Sequence, residues 1–232
     1  MSKKDGKDYV YLIWKDPKSR RQYRIGQLSK NGQYEFQYGF EIQQAIEKGF
    51  ELLISFDDLK KKYFSDKLFS PFLSRVPDRR RKGIKDILEK YGLDEYNEYE
   101  LLKKSGGRLP IDSIEFIDPI LDNGEDPIER SFYIAGPRHY IGCDGDCCNT
   151  SIELNKGEKL YLELQPTNEH DSYAVKIVKS GNILIGYIPR YYSQAVFEFI
   201  SKGAKYTLEV EEVNKDKNCN ECLNATLKIN RN

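Results

Sequence analysis

Five cysteines are the first chemistry this sequence offers, and their spacing is uneven. Cys143, Cys147 and Cys148 crowd into "IGCDGDCCNT", and Cys219 and Cys222 return far downstream as "CNEC". Zinc takes four thiolates in a tetrahedron, so the two knuckles brought together would make an all-cysteine site from Cys143, Cys148, Cys219 and Cys222. Cys147 is surplus in that arrangement. A disulfide or redox pair, and unliganded thiols, are the alternatives the spacing leaves open. The odd number argues against a fully paired framework, and clustered cysteines in a reducing compartment are more often ligands or redox groups than staples.

Other chemistry is sparse. The only two histidines are His139 and His170, which leaves little from which to build a nucleophile with its base. "KKSGG" has the wrong order to cradle phosphates, and neither an H-R-D loop nor a D-F-G metal site is present. The protein is therefore expected not to be an enzyme. The basic run Arg79-Arg80-Arg81-Lys82 has two readings. It can meet phosphates or an acidic protein surface, or it is the solvated first turn of a helix, where positive charge opposes the macrodipole.

Composition narrows the partners. Thirty-seven basic residues balance thirty-seven acidic ones, so no global field draws the chain to nucleic acid or an anionic membrane, and any such contact must be local. The opening "MSKKDGKDYVYLIW" lacks a leader pattern, and no apolar run nears the ~20 residues of a membrane span. A cytoplasmic protein without membrane contact is expected. Nothing in the sequence fixes an oligomeric state.

The elements that must position these residues fall into two halves. "YVYLIW", "QYRIGQL" and "YEFQYG" alternate like a strand meander with short turns. "EIQQAIEKGF" and "FSPFLSRVP" look like short helices, and "DRRRKGIKDILEKYG" like a longer one from Asp78 to Gly92 that buries Ile84, Ile87 and Leu88. "EYELLKKSGG" is a fourth helix closed by glycines, and "DSIEFIDPI" a return strand. This α+β domain, antiparallel strands with short helices, takes residues 1–120. The turn-rich, acidic "LDNGEDPIE" makes 121–129 a linker. Residues 130–232 carry the strand-like runs "SFYIAG", "KLYLELQP", "YAVKIV", "ILIGYIP", "YTLEVEEV" and "CLNATLKI", with one helix from Ser193 to Gly203. Short strands around a single helix suggest a small, partly closed β-barrel.

Three ordered motifs in the second half, "FYIAGPRHYIG", "LELQPTNEHDSYAVKIV" and "IGYIPRYYSQAVFEFISKG", resemble the HIRAN domain across Ser131 to Val213. That family stands alone in bacteria and serves as the DNA-end-binding module of some eukaryotic DNA-remodelling enzymes. The resemblance implies an OB-like, mainly-β barrel that captures the 3′ end of single-stranded DNA. Arg138 then matches a phosphate contact, His139 a stacking position with Tyr140 following it, Asn168 and Asp171 the polar contacts to the terminal nucleotide, and His170 a second stacking ring. Tyr187 and Arg190 match a ring and a cation beside the backbone. A flat ring accepts any base, and a carboxylate accepts a hydrogen bond only from a free hydroxyl, so this set would read an end rather than a sequence. Histidine stands at both stacking positions, which adds the prospect of a pH-sensitive contact. The plainer alternative is that "PTNEHD" is a turn capped by Asn168 and Asp171.

The first half, about Tyr9 to Asp118, is similar to the N-terminal subdomain of HipA-type serine/threonine kinases and to its free-standing HipS version, an antitoxin. The matching features are Ile25-Gly26-Gln27-Leu28, Phe36-Gln37-Tyr38, Phe72, Val76-Pro77, Arg79 to Arg81 and Gly106-Gly107. The acidic-glycine pair usual after the proline is missing. This resemblance implies docking on a separately encoded kinase core, with Arg79, Arg80 and Arg81 as weak candidates for the contact. Together the two resemblances imply a non-enzymatic kinase partner, antitoxin or regulator, whose barrel binds DNA. The alternative is a stand-alone single-stranded DNA-end binder in repair or phage defence.

Overall fold

The computed structural model describes residues 8–110, 112–121, 126–142, 153–215 and 221–230. The chain divides into two compact units, Met1–Pro119 and Ile120–Asn232.

In the first unit, β1 (Asp8–Lys15), β2 (Gln22–Asn31) and β3 (Gln33–Tyr38) form the expected meander. The β2–β3 hairpin turns at Gly32, whose φ of 78° is left-handed and costs a residue without a Cβ nothing. Then follow α1 (Ile42–Glu47), β4 (Tyr63–Ser65), α2 (Ser70–Leu73), α3 (Ile84–Lys90), α4 (Glu98–Ser105) and β5 (Ile114–Ile117). The antiparallel sheet runs β4-β3-β2-β1-β5. Strand β3 alternates strictly, burying Tyr34, Phe36 and Tyr38, the period-2 pattern of a strand with one face on a core. Phe36, Phe56, Phe72 and Phe116 stack through that core, with successive ring centroids 4.4, 5.1 and 4.9 Å apart. Strand β1 is buried on both faces: Val10, Leu12 and Trp14 enter this core, while Tyr11 lies under Phe40 and the Arg24 guanidinium.

Two expectations for this unit are corrected. The helix expected from Asp78 starts only at Ile84, because Gly83 stands before it at φ 81°. Residues 78–82 form a turn in which the Asp78 carboxylate accepts the Arg80 backbone N–H at 2.7 Å, so Arg79 to Lys82 precede the helix instead of making its first turn. Its apolar side is also shallower than expected: Ile84, Ile87 and Leu88 are only half-buried. Helix α4 matches its reading. The Asn97 side chain caps it by accepting from the N–H groups of Tyr99 and Glu100, and Gly106 ends it at φ 71°. A Cβ on Gly107 would lie 2.6 Å from Leu102 Cδ1 and 3.3 Å from Arg75 Cβ, and Arg75 donates to the Gly107 carbonyl at 3.0 Å while pairing with Asp112.

The second unit contains β6 (Ile128–Tyr133), a 3-10 turn at Pro137–His139, β7 (Lys159–Gln165), β8 (Ala174–Lys179), β9 (Ile183–Tyr187), α5 (Arg190–Ser201), β10 (Lys205–Val213) and β11 (Leu223–Asn230). All six expected strand runs are strands. They form one antiparallel sheet ordered β6-β11-β10-β7-β8-β9. The chain just past β6 then meets β9 at the far edge: Ala135 and Tyr187 exchange both backbone hydrogen bonds at 2.9 Å. That bridge curls the sheet into a partly closed barrel. It requires Gly186, since a Cβ there would lie 2.6 Å from the Ala135 carbonyl oxygen and 2.6 Å from Ile134 Cγ2.

Strand β6 begins at Ile128, inside the stretch read as linker, because Ile128, Arg130 and Phe132 alternate inward. Helix α5 begins at Arg190 rather than Ser193. The Ser193 hydroxyl donates to Asp171 Oδ2 at 2.7 Å and lies 3.0 Å from the Arg190 carbonyl oxygen.

Candidate nucleic-acid interface

The barrel closure assembles the site. Gly136, at φ 70°, swings the chain out of the sheet into the Pro137–His139 turn. This lays the Tyr140 ring beside that of Tyr187 in β9, with centroids 5.8 Å apart and planes at 55°. His139 packs edge-on to Tyr140 at 6.2 Å. Its Nε2 accepts from Arg138 Nε at 3.1 Å.

The β7–β8 turn supplies the polar side. Asn168 Oδ1 accepts the backbone N–H groups of His170 at 2.9 Å and Asp171 at 3.1 Å. Its Nδ2 donates to Gln165 Oε1 at 3.2 Å, and the Tyr187 hydroxyl donates to the same oxygen at 2.9 Å. Asp171 accepts the Tyr173 N–H on Oδ1 at 2.9 Å and the Ser193 hydroxyl on Oδ2. Burial pushes the Tyr187 hydroxyl up from its ordinary pKa, with neighbouring Tyr140 adding to the shift and Asn168 opposing it, so Tyr187 is a neutral donor at physiological pH.

The chain matches the HipA N-terminal domain family over residues 20–110 and the HIRAN domain family over residues 129–230. It carries both domains. Among solved structures it is similar to the HIRAN domain of human HLTF, at 15% identity over 44% of this chain and 74% of that one with a TM-score of 0.34. A protein from Lactobacillus plantarum matches at 16% identity over 46% of this chain and 96% of that one, with a TM-score of 0.36. No curated protein matches.

Within the HIRAN unit the fold brings Arg138, His139, Tyr140, Asn168 and Tyr187 into one continuous set, and Asp171 joins it through the Asn168 side chain. His170 is exposed at the tip of the turn and its ring stacks on no other aromatic among the described residues. Arg190 is exposed at the first position of α5. Asn168 and Asp171 do cap their own turn, as the plainer alternative requires. Each carboxylate oxygen of Asp171 nevertheless keeps acceptor capacity, since an ionised carboxylate offers roughly four lone-pair sites.

Sequence reasoning missed four residues around this set: Gln165 and Ser193, which hydrogen-bond to its members, Gly186, which permits the bridge, and Lys176, which faces Tyr187 across the sheet. Lys176 lies directly across from Tyr187 on one side and Glu163 on the other, so all three share a sheet face. Period-2 counting could have placed Gln165 with Glu163 on one face of β7. Nothing local marks Gly186 or Ser193, whose partners lie far away in sequence.

The cysteine cluster cannot be built into this picture. Cys143, Cys147, Cys148 and Cys219 lie outside the described residues. Cys222 is buried, and its carbonyl accepts the Asn214 N–H at 2.8 Å where β10 turns toward β11. Among the described residues no group of three or more His, Cys, Asp or Glu side chains could hold a metal, and no helix is long and apolar enough to cross a membrane.

Proposed function

We propose that the HIRAN unit binds the 3′ end of single-stranded DNA, and that the HipA-type unit docks on a separately encoded HipA-type kinase core. The protein is then a non-enzymatic antitoxin or regulator of that kinase, acting in the cytoplasm. The observation that carries the DNA half is the pair of rings, Tyr140 and Tyr187, at 5.8 Å, joined by hydrogen bonds to the turn that holds Asn168 and Asp171. Tyr140 is exposed and Tyr187 half-buried; an aromatic ring stacks on a base regardless of its identity, at about 1–3 kcal/mol per base, and Asp171 can accept from a terminal hydroxyl. Arg138, Lys176 and Arg190 supply local positive charge on a chain with none overall, so binding will weaken with salt by only a few phosphate contacts.

Titration of labelled single-stranded oligonucleotides with a free or a phosphorylated 3′ end tests this half. The free end must bind more tightly, and equal binding rejects end recognition. Co-purification with a neighbouring kinase core tests the other half, with the exposed turn at Arg79, Arg80 and Arg81 as the proposed contact. DNA-end binding without any kinase partner would favour the stand-alone reading in repair or phage defence. A zinc site made by the thiolates of Cys143, Cys148, Cys219 and Cys222 belongs to the same proposal, as a tie for the loop that follows Tyr140. Elemental analysis of the purified protein measures it, and one zinc per chain is the expected result.

A further inference from the structure

The hydrogen-bond pattern around the β7–β8 turn fixes the orientation of Gln165, a side chain to which the motifs assign no role. The two backbone N–H groups of His170 and Asp171 both point at one Asn168 side-chain atom, which must therefore be the oxygen. The Asn168 amide nitrogen is thereby turned toward Gln165, so the Gln165 atom that meets it at 3.2 Å must be an acceptor. The Tyr187 hydroxyl donates to that same oxygen. With Oε1 engaged by both donors, the Gln165 Nε2 amine is directed away from the pair, and among the described residues it donates to no protein group. The side chain is half-buried, and its backbone carbonyl is also held, by the Asn168 N–H at 3.1 Å. An amide locked at its oxygen presents its two N–H donors in a fixed direction, and such donors cost little ordering entropy when they bind.

We infer that Gln165 is a further ligand-contacting residue, whose amide N–H groups donate to an acceptor oxygen or nitrogen on the nucleotide held against Tyr187. This rests on the nucleic-acid reading above. A base edge and a phosphodiester both carry such acceptors, so the ligand chemistry is a hydrogen-bond acceptor on the terminal nucleotide. Gln165→Glu separates contact from positioning: it keeps an acceptor for Tyr187 and Asn168 but replaces the outward donors with a carboxylate oxygen.

The experiment measures affinity of the full chain for a short single-stranded oligonucleotide with a free 3′ hydroxyl, beside thermal unfolding of each variant. Gln165→Glu is expected to weaken binding about 10- to 100-fold with an unchanged unfolding midpoint, because a hydrogen bond becomes a repulsion between acceptors. Ser180→Glu adds the same charge at the exposed β8–β9 turn and should cost less than about 3-fold. Oligonucleotides with a neutral methylphosphonate as the last linkage, or an abasic last residue, identify the acceptor: one of them should bind the wild type and Gln165→Glu equally. Binding by Gln165→Glu at wild-type strength, with loss only in Gln165→Leu, would reduce Gln165 to positioning Tyr187 and overturn the contact. An equal loss from Ser180→Glu would overturn it as well, and a wild type that binds no oligonucleotide would remove the nucleic-acid reading itself.

Discussion

The two units use their motif residues in opposite directions. In the HipA-type unit Phe36, Phe72 and Val76 are buried, Gly107 lies against Leu102 and Arg75, and Arg75 is engaged by Gly107, Asp112 and Ile114. In the HIRAN unit His139, Tyr140, His170 and Arg190 are exposed, and half-buried Gln165, Asn168 and Asp171 form a hydrogen-bonded frame beside Tyr187. A motif built of inward-facing residues reports how a domain folds, and one built of exposed rings and cations over a hydrogen-bonded frame reports what it touches. Apart from the exposed Arg79 to Arg81, the motifs of the first unit therefore speak for its fold and those of the second for its site.

That contrast can be broken by substitution. Phe72→Ala should be the most damaging, removing a side chain that packs on Phe36, Phe56, Phe69 and Phe116. The expected loss is about 3–5 kcal/mol by chemical denaturation, and DNA affinity should survive in whatever fraction keeps the HIRAN unit folded. Gly186→Ala comes next at about 1–3 kcal/mol, since its methyl must displace the Ala135 carbonyl. As the bridge sets Tyr187 against Tyr140, oligonucleotide binding should fall in parallel, and a variant that kept full binding would separate the closure from the site.

Tyr140→Ala sharpens the other side. The ring is 41% exposed, so the unfolding midpoint should barely move while oligonucleotide affinity drops about tenfold or more. A large stability loss without a binding loss would make Tyr140 a packing residue. The smallest effect is expected from Tyr99→Phe. The Tyr99 hydroxyl is buried without a hydrogen-bond partner among the described residues, and desolvation, aided by Asp8 and Asp118, holds it neutral far above its ordinary pKa. Deleting it should leave stability unchanged or raise it by up to about 1 kcal/mol.

Much of the fold was legible because its signals are local. Alternation marked β1 to β3 and the six strands of the barrel, and the glycine pair after "LLKKS" marked the end of α4. The failures were also local in form but not in cause. "DRRRKGIKDILEKYG" has helical periodicity throughout, yet one left-handed glycine at position 83 halves the helix. "SQAVFEFISKG" reads as the whole helix, yet it starts three residues earlier, at Arg190. For the site, residue types in the three HIRAN motifs pointed to Arg138, Tyr140, Asn168 and Tyr187, whereas Gln165 carries no signature and gains its place only from the two donors that converge on it.

What the sequence determined by itself, then, is the class of each unit, the order of its strands along the chain and the kinds of side chain offered to a ligand, because period, turn chemistry and residue type are properties of short windows. Tertiary structure alone decided that Ala135 would pair with the distant Tyr187, that Gly186 would be the residue to permit it, and that Asn168 would orient Gln165. Those outcomes depend on which strands meet when the sheet curls, and the entropy of bringing distant segments together is offset by the packing of the whole barrel rather than by anything in either segment.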